Sequence, residues 1–95
     1  MLTSKQRAAL RAMANPIDTI LYVGKSEIGD NLIRQADTAL TARELIKGRV
    51  QENSPYTARE AAEMLAAATN SEVVQVIGTR FVLYRENPDI EGIRL

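Results

Sequence analysis

The chain predicts an α/β fold in the order α-β-α-β-α-β-β, with helices covering a four-stranded mixed sheet. Three observations lead there. Segments with helical apolar spacing alternate with short apolar, partly β-branched runs. Strand-helix-strand crossovers favour parallel neighbours. The last two runs are separated only by Gly78-Thr79-Arg80, which favours an antiparallel hairpin. A length of 95 residues leaves room for one hydrophobic core and no second domain.

The first helix is expected from Ser4 to Ala14. Thr3-Ser4-Lys5-Gln6 has the pattern of a capping box, and Asn15-Pro16 stops the helix. Gln6, Ala9, Leu10 and Met13 lie on one side of this helix, and Arg7 and Arg11 form a stripe on another. Ile20-Leu21-Tyr22-Val23 reads as a buried strand that runs into a glycine loop. From Asp30 to about Ala42, Leu32, Ile33, Ala36, Ala39 and Leu40 share a helix face opposite Asp30, Arg34, Asp37 and Thr41. Leu45 to Val50 alternates as a half-exposed strand, with Ile46 and Val50 on one side and Lys47 and Arg49 on the other. Ser54-Pro55 reads as N-cap and first turn of a third helix, with Ala58, Ala61, Ala62, Leu65 and Ala68 on one face and an end near Thr69-Asn70. Val73–Ile77 and Phe81–Tyr84 read as a hairpin buried on both faces. Residues 1–85 make the expected domain. Residues 86–95 lack periodicity before Ile90, Ile93 and Leu95 and are expected to be loosely ordered.

Composition narrows the function. The chain has neither cysteine nor histidine, so thiolate and imidazole nucleophiles, ligands and general bases are absent. No two acidic residues are placed as an acid/base couple. The expectation is a non-enzyme with no cofactor, no metal and no small-molecule substrate. No apolar run approaches the ~20 residues of a membrane span, and there is no basic-then-apolar leader, so a cytoplasmic protein without a membrane partner is expected.

Net charge is zero, which argues against indiscriminate coating of nucleic acid. The distribution is uneven. Residues 1–50 hold eight basic against five acidic side chains and residues 51–95 hold four against seven, so the halves carry +3 and −3. Either a local phosphate-binding face or a chance imbalance of solvated charges accounts for this.

Gly24-Lys25-Ser26-Glu27-Ile28-Gly29 lies where the first strand hands over to a helix. Glycines allow close backbone approach, a helix N-terminus offers N–H groups to an anion, and Lys25 adds a cation. An ordinary tight turn with Gly29 as N-cap fits equally well, and Glu27 repels the anion the loop would hold. A nucleotide-binding P-loop is excluded, because Thr19 stands where that motif requires glycine. Lys5, Arg7 and Arg11 could meet a phosphate backbone, although taken alone a solvated helix face explains them better. Arg34 sits at helical spacing from Asp30 and Asp37 and is expected to pair with them. Arg43, Lys47 and Arg49 cluster around the second strand, where protection of a sheet edge explains them. Arg80, at a hairpin tip, reads equally well as a turn residue and as a ligand contact. Tyr22, Phe81 and Tyr84 sit in strands and read as core, so contacts to RNA, if made, should go to backbone and shape rather than to stacked bases.

Several motifs in register carry a resemblance to a known family. Leu2-Thr3-Ser4-Lys5-Gln6-Arg7, Val23-Gly24-Lys25, Ala42-Arg43-Glu44-Leu45-Ile46-Lys47, Val74-Gln75-Val76-Ile77-Gly78 and Val82-Leu83-Tyr84-Arg85 resemble the CRM domain, over residues 2–85. The match is to its stand-alone bacterial YhbY-type form. The resemblance implies a fold similar to the C-terminal domain of bacterial translation initiation factor three. It also implies RNA binding, with large-subunit ribosomal RNA or a pre-ribosomal particle as partner and a role in ribosome assembly. The family's RNA-contacting loop has the pattern Gly-x-x-Gly. Gly24 and Lys25 match its start, Ser26 its variable place, and Glu27 stands where the second glycine belongs, with Gly29 two residues on. Gly48 also departs from the β-branched residue common in that strand, at a cost in strand preference of ~1 kcal/mol or less. The expected RNA-binding residues are therefore Gly24, Lys25, Ser26 and Gly29 of the loop, with Lys5, Arg7, Arg11 and Lys47. The alternative is a protein-interaction module that reaches the ribosome without touching RNA, which zero net charge and Glu27 favour.

Overall fold

Two reciprocal capping boxes begin two of the three helices. Thr3 and Gln6 exchange side-chain and backbone bonds at the start of α1 (Ser4–Ala14), and Thr57 and Glu60 do the same for α3 (Ala58–Thr69). The computed structural model describes residues 2–95, and Met1 lies outside the described residues. The remaining elements are β1 (Thr19–Val23), α2 (Asp30–Arg43), β2 (Leu45–Val50), β3 (Glu72–Ile77) and β4 (Arg80–Tyr84), in the predicted order.

The strands form one sheet in the order β1-β2-β4-β3. β1 and β2 are parallel, as the α2 crossover requires, and β4 is antiparallel to both β2 and β3. The hairpin between β3 and β4 closes through Gly78 and Thr79, with Gly78 at φ 58°. A side chain at that angle would be strained.

Each sheet face has its own apolar layer. On one, Leu21, Val23, Ile46, Phe81 and Leu83 pack against Ala36 and Leu40 of α2 and against Ala61, Ala62 and Leu65 of α3. Alanines let α3 lie close to the sheet. Gly48 belongs to this layer, because the Phe81 ring occupies the space its Cβ would need. A β-branched residue could not sit there without displacing the ring, so the loss of strand preference is outweighed by packing. On the other face, Leu10 and Ala14 of α1 pack on Leu45, Val74, Val82 and Tyr84.

Five local expectations change. The third helix starts at Ala58 rather than at Ser54-Pro55, since Ser54 and Tyr56 are used in a turn: the Ser54 amide donates to the Gln51 carbonyl (3.0 Å) and the Tyr56 amide to Ser54 Oγ (3.2 Å). Ala68 is exposed, and Thr69 takes a buried place, donating to the Leu65 carbonyl at 2.7 Å. β4 is buried on both faces but β3 is an edge strand and half-buried. β2 lies inside the sheet, so edge protection does not explain Lys47 and Arg49. Asp37 pairs with Arg85 (2.8 Å) rather than with Arg34.

That Arg85 guanidinium joins three elements. It donates to Asp37 Oδ1 and, at 2.8 Å, to Thr41 Oγ1 of α2, to the Asp37 carbonyl at 3.0 Å, and to the Thr69 carbonyl of α3 at 2.7 Å. Beside it, Glu44 ends α2 at φ 63° and is buried. Its carboxylate accepts from the amides of Asn87 and Ile93, each at 2.7 Å. Residues 86–95 carry no helix or strand, yet these two charge-assisted bonds hold them against the body of the fold. No helix of the described residues is long and apolar enough to cross a membrane.

Candidate nucleic-acid interface

The loop from Gly24 to Gly29 leaves the carboxyl end of β1 and enters α2, so it stands at the end of the sheet where the parallel strands β1 and β2 finish. Ligands of open α/β sheets gather at this end, because loops and helix N-termini converge there. Lys25, Ser26, Glu27 and Gly29 are exposed, and Lys25 has no ion pair among the described residues. Gly29 is the N-cap of α2 and provides no side-chain cap, unlike Thr3 and Thr57. The backbone amides of that first turn are thus left to solvent or a ligand. A hollow of about 490 Å³ lies beside them, lined by Tyr22, Gly24, Lys25, Ser26, Gly29 and neighbouring residues. Glu27 and Asp30 line it too, so the hollow has one cation against two carboxylates.

The basic residues expected alongside the loop divide into two groups. Lys5 and Arg11 project from α1 into solvent. Arg7 does not: half-buried, it donates to the Val73 carbonyl of β3. Lys47, half-buried on β2, donates to the Asn15 carbonyl at the end of α1 (3.4 Å), where a cation suits the helix dipole. These two brace the helix against the sheet. The Arg7 and Arg11 stripe is therefore split, with Arg11 outward and Arg7 drawn into the fold.

The structure adds residues that sequence reasoning assigned elsewhere. Tyr22, Arg49, Arg80 and Ile77 are paired in register across all four strands, Tyr22 with Arg49, Arg49 with Arg80, and Arg80 with Ile77. They form one row on the face that α1 covers only in part. Tyr22 is 52% exposed and Ile77 64%, although both were expected to be buried. A one-sided strand pattern at positions 20 to 23 cannot reveal this, because the apolar run looks the same whether or not a helix lies over it. Among the described residues no group of three or more His, Cys, Asp or Glu could hold a metal ion.

Comparison with known proteins supplies the context. A family model described as the CRS1 / YhbY (CRM) domain matches residues 2–85. A Bacillus subtilis protein named a probable RNA-binding protein is 42% identical over 95 residues, spanning 100% of this chain and 99% of its own. A Methanocaldococcus jannaschii protein, also named a probable RNA-binding protein, is 38% identical over 86 residues, covering 88% of this chain and 63% of the archaeal one. Among solved structures, a Staphylococcus aureus protein described as a candidate RNA-binding protein superposes with a TM-score of 0.77 at 49% identity, covering 92% of this chain and 91% of that one.

Proposed function

The chain belongs to the CRS1/YhbY (CRM) domain family, and from that premise we propose that it binds RNA directly, as a non-catalytic cytoplasmic module acting on ribosomal RNA or large-subunit precursors during ribosome assembly. One observation carries the choice of site: the uncapped N-terminus of α2 lines the same hollow as Lys25, at the carboxyl end of β1. Backbone N–H groups with about half a positive charge and a mobile ammonium together make a phosphate contact. Lys5 and Arg11, exposed on α1, are the further cations this reading assigns to RNA. Relatives of similar length that are named RNA-binding proteins support the partner class.

Filter binding of purified ribosomal RNA fragments, with no other protein present, tests this. Retention at moderate salt is expected. Lys25→Ala and Arg11→Ala should each flatten the slope of log affinity against log salt by about 0.7 to 0.9 if each residue neutralises one phosphate. Unchanged slopes for both variants remove the proposed site, and no retention at all supports a module recruited through protein. Cosedimentation with large-subunit precursors then decides the ribosomal assignment.

A further inference from the structure

The row Tyr22–Arg49–Arg80–Ile77 crosses all four strands and is open to solvent. Arg49 and Arg80 stand directly opposite each other on antiparallel strands, an arrangement of like charges that destabilises a sheet. Neither has an ion pair among the described residues, and neither protects an edge, since β2 and β4 are the two inner strands. Beside them on β1, the Tyr22 hydroxyl reaches back to the Thr19 carbonyl (3.4 Å), which lays the ring along the strand. Tyr22 also lines both neighbouring hollows, that of the glycine loop and a second of about 500 Å³ bounded by Arg49, Gln51, Glu52 and Asn53. The ring is thus the wall between the loop and Arg49.

We propose that this bare half of the sheet is a platform for an unpaired RNA segment, with a base stacked on Tyr22 and the adjoining phosphates held by Arg49 and Arg80. The proposal rests on the RNA-binding reading above and names the kind of RNA: single-stranded, or opened within a folded one. Charge complementarity selects the occupant. A polyanion relieves the repulsion between Arg49 and Arg80, and only a nucleic acid presents flat rings at the spacing of its charges. In the second hollow Glu52 keeps phosphates away from its own rim and toward Arg49.

The test is anisotropy of labelled RNA of roughly twelve nucleotides, within the usual site size, as an unstructured strand and as a blunt duplex. The intact chain should prefer the single strand. Tyr22→Ala should weaken single-strand binding about tenfold and leave duplex binding unchanged, while Tyr22→Phe, which keeps the ring, should bind as the parent does. Arg49→Gln and Arg80→Gln should each flatten the single-strand salt slope by about 0.7. A Tyr22→Ala variant that binds the single strand normally while Lys25→Ala binds it poorly overturns the platform and leaves RNA binding at the loop intact. Preference for the duplex also overturns it. Failure of the intact chain to bind either RNA overturns the platform and the RNA-binding reading together.

Discussion

The sheet face beneath α1 and the same face beyond it are built from the same residue types and behave differently. Under the helix, Leu45, Val82 and Tyr84 are buried, and the nearby cations Arg7 and Lys47 spend their hydrogen bonds on backbone carbonyls. Beyond it, Tyr22, Arg49, Arg80 and Ile77 stand in solvent, the arginines with no carboxylate partner among the described residues. Residue chemistry does not distinguish the two halves. Whether a helix lies overhead does, and it separates cations that hold the fold from cations left available to a ligand.

The largest effect that would break this contrast is on stability. Leu10 is wholly buried in the layer beneath α1, so Leu10→Ala should cost about 3 kcal/mol in urea unfolding, whereas Tyr22→Ala on the bare half should change stability by less than about 0.5 kcal/mol. Comparable losses for the two variants would mean that Tyr22 is packed. The next effect sharpens the contrast by its sign. Lys47→Gln removes a cation from the end of α1 and should destabilise by about 0.5 kcal/mol, while Arg49→Gln relieves a like-charge pair and should stabilise by a few tenths of a kcal/mol. Thermal melts at low salt would detect both, and destabilisation by Arg49→Gln would sink the claim that this arginine is unused by the fold.

The smallest effect is alkaline. Burial of Tyr84 raises its hydroxyl above the usual value near 10.0, with further contributions from Glu44 and Glu86. The folded state therefore favours the protonated phenol, and its stabilising contribution is complete below pH 10 and declines as pH rises beyond that value. Stability measured from pH 9 upward should fall less steeply in Tyr84→Phe than in the parent, and parallel curves would show that burial does not disfavour the phenolate.

Most of the fold was legible because its signals are local. The Thr3–Gln6 capping box, the amphipathic run from Asp30, and the Gly78-Thr79 turn each involve residues within a few positions of one another, where spacing and stereochemistry act alone. Ser54-Pro55 misled for the same reason: it is a sound helix start, but Thr57 and Glu60 three residues on offer two reciprocal bonds instead of one. The glycine loop was legible as a place and not as a charge balance, since Asp30 enters its hollow only once α2 is set on the sheet.

By itself the amino-acid order determined the succession of elements, the parallel and antiparallel connections and the position of the Gly24–Gly29 bend, all of which follow from contacts close along the chain. Only the tertiary structure decided that β2 is an inner strand, that Asp37 meets Arg85 across 48 positions of sequence, that Arg7 and Lys47 brace α1, and that Tyr22 faces solvent beside Arg49 and Arg80. The reason is geometric. Strand order and helix placement bring together residues far apart in the chain, and a side chain's exposure is set by what the rest of the molecule lays over it.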